Sequence, residues 1–171
     1  DKNSPKENVN KNTTLDERNP YIAILAMTYD SQIGQLTLSG LAHNGVQVNV
    51  GFFGKETSST KISNDEWSLS IPGKLISGKQ KILAVLLGKN GELLSKNSIN
   101  ITGKAIQNAN GNTFVIIQKG DALWNIAYDR LGLGNRYVDI VKLNKDKINN
   151  PDLIYPKQLF VIPAQTENNK N

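Results

Sequence analysis

Between residues 36 and 101 apolar side chains return at every second position. Leu36 and Leu38 do so, then Val46, Val48 and Val50, then Trp67, Leu69 and Ile71. Leu83, Val85 and Leu87 follow, and Ile99 and Ile101 complete the series. A period of two puts one face of an extended strand inward, whereas a helix would need about 3.6. Turn-forming clusters separate the runs: His43-Asn44-Gly45, Ser63-Asn64-Asp65, Pro72-Gly73 and Lys89-Asn90-Gly91. Short strands punctuated in this way predict an all-β sandwich over residues 20–102.

The pattern changes after residue 112. "TFVIIQ" (113–118) reads as a strand, and Asp121 is placed to cap a helix by accepting from the backbone N–H of Leu123 or Trp124. Leu123, Ile126, Ala127, Arg130 and Leu131 recur at helical spacing, and "GLGN" (132–135) ends that helix. Tyr137, Ile140, Val141 and Asn144 suggest a second short helix, and "QLFVIP" (158–163) a closing strand. The order predicts a small α+β unit, βααβ, over 113–164, with antiparallel strands and both helices on one face. Residues 103–112 are polar and turn-rich and read as an interdomain linker. Residues 1–19 and 165–171 hold too little apolar surface to offset ordering entropy and are expected to be disordered tails.

Composition removes several function classes. There is no cysteine and a single histidine, His43, so neither a thiol nucleophile nor a catalytic zinc held by three histidines can be built. No nucleophile elbow is present for a serine hydrolase. A paired-carboxylate glycosidase needs a deep cleft that regions this small do not promise. A non-catalytic protein without a cofactor or metal is expected. The net charge of +5 comes mostly from dispersed lysines, with no basic stripe interleaved with aromatics, so nucleic acid is not an expected partner. No apolar run approaches the ~18 residues of a membrane-spanning helix. The chain starts at Asp1 with no visible signal peptide, which is compatible with a form whose export signal has been removed.

Three blocks in order, "VIIQKGDALWNIAYD" (115–129), "IVKLNKD" (140–146) and "NPDLIYPKQLFVIP" (150–163), resemble a LysM (lysin motif) domain. The resemblance implies a groove for glycans containing N-acetylglucosamine, such as peptidoglycan or chitin. It implies one wall from Gly120, Asp121, Ala122 and Leu123, and the other from Asn150, Pro151, Asp152, Leu153 and Ile154. Rigid backbone amides suit the acetamido group, and Leu123, Leu153 and Ile154 suit its methyl and the sugar faces. Two positions depart from the family pattern. Ala122 replaces the usual threonine or serine, and Lys157 stands in the turn usually written Tyr-Pro-Gly-Gln. Lysine disfavours a positive φ, so a type I turn is expected there. With one side-chain hydrogen bond missing at Ala122, a single module is expected to bind weakly and to need multivalency or a second anchor.

The region before it resembles a bacterial immunoglobulin-like domain, carried by "LTLSGLAHNGVQVNVGF" (36–52), "NDEWSLSIPGKLISGKQKILAVLLGKNGELLS" (64–95) and "INIT" (99–102). Such domains accompany LysM domains as spacers or adhesion modules. The two resemblances together imply a peptidoglycan-binding protein of the bacterial cell envelope, in the periplasm or at the cell surface. Its possible protein partner is another envelope protein, held through the immunoglobulin-like domain. Two other functions stay open: a protein-interaction adaptor with the LysM-like unit as scaffold, and a cation binder using Asp121, Asp146 and Asp152. Trp124 is a candidate for sugar stacking but is expected, like Trp67, in the core; Asp152 and His43 are expected in turns, and Tyr155 either at the groove edge or packed on the closing strand.

Overall fold

A computed structural model of the chain describes residues 19–52, 57–72 and 78–164. Of the expected tails, 1–19 and 165–171, all but residue 19 lie outside these. The first region is all-β: β1 (Tyr21–Asp30), β2 (Gln35–His43), β3 (Gln47–Phe52), β4 (Thr57–Lys61), β5 (Glu66–Pro72), β6 (Lys79–Leu87) and β7 (Leu93–Thr102). The second holds β8 (Thr113–Ile116), α2 (Leu123–Leu131), a 3-10 turn (Gly134–Arg136), α3 (Tyr137–Leu143) and β9 (Leu159–Ile162). Between them lies a further helix, α1 (Gly103–Ala109).

The strands form a four-stranded sheet, β4-β3-β6-β7, and a five-stranded one, β5-β2-β1-β8-β9. Leu36, Leu38, Trp67, Leu69 and Ile71 of the larger sheet share one core with Val48, Val50, Ile82, Ala84, Leu86, Ile99 and Ile101 of the smaller. The chain passes between sheets at Ser63–Glu66, where Asn64 (φ 52) and Asp65 (φ 61) take the two positive-φ positions of a primed turn.

Three expectations are corrected. In β6 the inward residues are Ile82, Ala84 and Leu86, not Leu83, Val85 and Leu87, which are half-buried on the opposite face. "ILAVLL" is apolar at both parities, so alternation there does not choose a face. Val46 precedes β3 and is exposed. Residues 103–112 contain α1 rather than a loose linker. Thr102 accepts from the Ala105 N–H at 3.1 Å as N-cap, Asn110 ends the helix in the left-handed region, and Ile106 and Ala109 are buried in the first core.

The two regions are joined by β-pairing. β8 pairs antiparallel with β1 (Ala26 with Val115, Met27 with Phe114) and with β9 (Phe114 with Val161, Val115 with Phe160). Phe114 and Ile116 therefore enter the first core, while Val115, Ile117, Phe160 and Ile162 face a second core under α2 and α3. Both faces of the β8–β9 strand pair are covered, which accounts for its nearly unbroken apolar sequence.

Candidate functional site

The strand-to-helix corner at 118–121 is a four-residue turn bonded from both sides. The Asp121 N–H donates to the Gln118 carbonyl at 3.1 Å, and the Gln118 N–H donates to the Asp121 carboxylate at 2.8 Å. Gly120 has φ +88, the value that the third residue of a type II turn requires and that glycine adopts without strain. Asp121 thus stabilises the turn before the helix and does not cap it. The N-cap of α2 is Ala122, with no side-chain hydrogen bond. The Gln118 side chain donates to the carbonyls of Ile116 (3.0 Å) and Ile24 (3.3 Å), tying the corner to β1.

The opposite connection is built from two turns. Asn150 accepts from the Asp152 N–H through its side chain (2.9 Å) and from the Leu153 N–H through its carbonyl (3.0 Å). Tyr155 and Gln158 then bond reciprocally around Pro156-Lys157, and Lys157 carries φ 70. The type I expectation for this turn is therefore not met. Lys157 takes the left-handed conformation because Gln158 satisfies both ends of the turn and the Lys157 N–H donates to the Ile117 carbonyl at 2.8 Å. That bond, with Ile117 N–H to the Gln158 carbonyl (2.8 Å), extends the β8–β9 ladder to the edge of both connections. The ladder is what brings two loops distant in sequence side by side.

Between them lies a cleft of about 390 Å³ lined by Asp121, Ala122, Leu123, Trp124, Tyr137, Pro151, Asp152 and Ile154. Of the residues named from sequence, Asp121, Ala122, Leu123, Pro151, Asp152 and Ile154 are brought together here. Gly120, Asn150 and Leu153 are not lining residues: Gly120 and Asn150 shape the turns, and Leu153 is exposed. Leu123 is itself buried, so little of it is offered to a ligand.

Two aromatic lining residues were not assigned to the site from sequence. Trp124, expected in the core, is 54% exposed. Its ring lies against Gly134, where a Cβ would overlap the indole, and stands 6.4 Å from the Tyr137 ring. The signal was present: Trp124 directly follows the buried Leu123 and falls off the Leu123–Ile126–Ala127–Leu131 stripe. Trp67 is buried as expected, and its indole N–H donates to the Leu41 carbonyl at 3.1 Å. His43 stacks on Tyr21, and Tyr155 is exposed outside the cleft.

A larger cleft, about 850 Å³, opens between β6–β7, α1 and β8–β9 with Lys79, Lys81 and Lys147 among its lining residues. It contains none of the nine glycan-site residues named from the sequence. Among the described residues no group of three histidine, cysteine or acidic side chains is gathered as a metal site, and no helix is long and apolar enough to cross a membrane.

Comparison with known proteins gives three likenesses. The chain is 28% identical over 105 residues to the potassium binding protein Kbp of Escherichia coli O6:H1, covering 61% of this chain and 68% of that one. A crystal structure of OgpA from Akkermansia muciniphila overlaps 52% of this chain and 29% of its own length, with a TM-score of 0.37 and 13% identity, a likeness too slight to carry an argument. The family model for the LysM domain matches residues 115–163, from β8 through β9, so this part of the chain is a LysM domain.

Proposed function

We propose that this is a non-catalytic protein of the bacterial cell envelope, in the periplasm or at the surface. Its LysM cleft holds N-acetylglucosamine-containing glycan, with peptidoglycan the natural polymer. The all-β region, which resembles an immunoglobulin-like domain, serves as spacer or as contact module for an envelope protein. The observation that carries the reading is the meeting of two rigid connections around a cleft of amides, aliphatic groups and an aromatic face. A neutral acetamido sugar asks for this surface: hydrogen-bonding edges, a methyl group, and apolar ring faces.

The test uses the whole chain. It is expected to pellet with purified peptidoglycan sacculi and to be released by soluble N-acetylglucosamine oligomers. Ala122→Glu pushes a longer, charged side chain into the cleft from an exposed position, and carboxylates are tolerated at a helix N-terminus. That variant should keep its circular dichroism spectrum and lose about tenfold or more in affinity. Equal pelleting by the variant means the groove is misplaced; no pelleting by the parent chain means the glycan reading is wrong.

The match to a protein named for binding potassium favours a second reading, monovalent-cation binding. Asp121 and Asp152 both line the cleft and supply oxygens, whereas Asp146 is not among the lining residues. Calorimetric titration of the chain with KCl and with NaCl decides it. Saturable heat with KCl alone supports the reading, and equal or absent heats reject it.

A further inference from the structure

The cleft accounts for Trp124 and Tyr137 but not for Tyr128, one turn further along α2. Tyr128 is 62% exposed, and Trp124, four residues before it, is 54% exposed. Residues four apart share a helix face at about 5–6 Å between Cβ atoms. Neither belongs to the buried stripe of α2, which is Leu123, Ile126, Ala127 and Leu131. Large aromatic side chains so exposed on one face of a helix, the first of them lining the cleft, mark a contact surface.

The first ring of the pair is held in place. The indole of Trp124 rests on Gly134, whose missing side chain leaves the space that the ring fills, and Tyr137 flanks it. A ring fixed in this way gives up little conformational freedom when a ligand covers its open face.

We propose that Trp124 and Tyr128 form a stacking ledge that continues the cleft along α2, so that the site takes an extended β-1,4-linked amino-sugar chain rather than one or two residues of it. The inference rests on the glycan reading and deepens it. Each pyranose ring of such a chain presents an apolar face of axial C–H groups. The helical step from Trp124 to Tyr128 is close to the step between successive rings. The acetamido group of one sugar is held in the cleft, and the following sugars lie over the two aromatic faces.

The whole chain reports this directly, because its other tryptophan, Trp67, is only 3% exposed and already hydrogen-bonded. The chain is titrated with the disaccharide and the hexasaccharide of N-acetylglucosamine, following tryptophan emission and acrylamide quenching. The hexasaccharide should bind more tightly than the disaccharide, shift the emission to the blue and protect Trp124 from quencher. Tyr128→Ala should reduce the ratio of hexasaccharide to disaccharide affinity about tenfold, and Tyr128→Phe should retain it. An unchanged ratio in Tyr128→Ala, with both sugars still bound, overturns the ledge alone. Failure of both sugars to bind the parent chain overturns the glycan reading and the ledge with it.

Discussion

Ala122 occupies the N-cap of α2 in extended conformation, φ −132 and ψ 145, without a side-chain oxygen to accept from the helix. The geometry of a cap is present and its acceptor is missing. Ala122→Ser should therefore stabilise the fold by about 1 kcal/mol, read as an increased urea midpoint at unchanged slope. Asn144 is the reverse case, a polar side chain that is 1% exposed and fully used. Its amide donates to the carbonyls of Ile140 (2.7 Å) and Val161 (2.8 Å), and its oxygen accepts from the Val161 N–H (2.8 Å). It pairs with β9 as a neighbouring strand would. Asn144→Leu leaves both backbone groups of Val161 without these partners and should cost on the order of 3 kcal/mol in urea unfolding. Asn144 was legible in the sequence only as a member of a helical stripe; its bonds to β9 depend on how α3 lies across that strand.

Among elements, β9 is a short strand at one edge of the larger sheet. Asn144 covers its free edge at Val161, and the Lys147 ammonium donates to the Leu159 carbonyl at 3.0 Å. The contact between α2 and the 3-10 turn has its own weak point. Gly134→Ala introduces a methyl group where the Trp124 indole lies, so the ring has to move. We expect a loss of about 1–3 kcal/mol, a changed Trp124 emission, and weaker glycan binding by fluorescence titration. Element by element, the sequence was informative wherever its signals agreed. The boundaries of β8, α2, α3 and β9 fall within the segments expected for them. α1 was missed although Thr102 and Asn110-Gly111 are ordinary start and stop signals, because the polar residues between them resemble a loop. β6 was read in the wrong parity because both parities are apolar.

For the whole molecule the joined sheet is the main consequence. Phe114 and Ile116 of β8, with Leu159 and Val161 of β9, pack on the core of the all-β region. Cutting the chain near residue 104 strips the cover from those side chains and from β8 the hydrogen bonds of β1. The fragment 104–171 should therefore bind an apolar dye such as ANS and melt well below the full chain, while the full chain should show one calorimetric transition. Two separate transitions in the full chain would indicate independent domains instead. Phe114→Ala, at the seam, should cost about 3–5 kcal/mol and lower that single transition as a whole.

Alternation of apolar residues determined that the first region is β, and the strand and helix patterns with their turn signals determined the βααβ order of the second, because periodicity and turn chemistry are local properties of a chain. Of the nine residues named for the two walls, six (Asp121, Ala122, Leu123, Pro151, Asp152 and Ile154) line the cleft, whereas Trp124 and Tyr137 were not assigned to it from sequence. That the β8–β9 strand pair of one region completes the sheet of the other, and that Trp124 lies open on Gly134, were decided by tertiary structure. Each depends on surfaces far apart in sequence competing to exclude water and to satisfy backbone groups, and that competition leaves no period in the sequence.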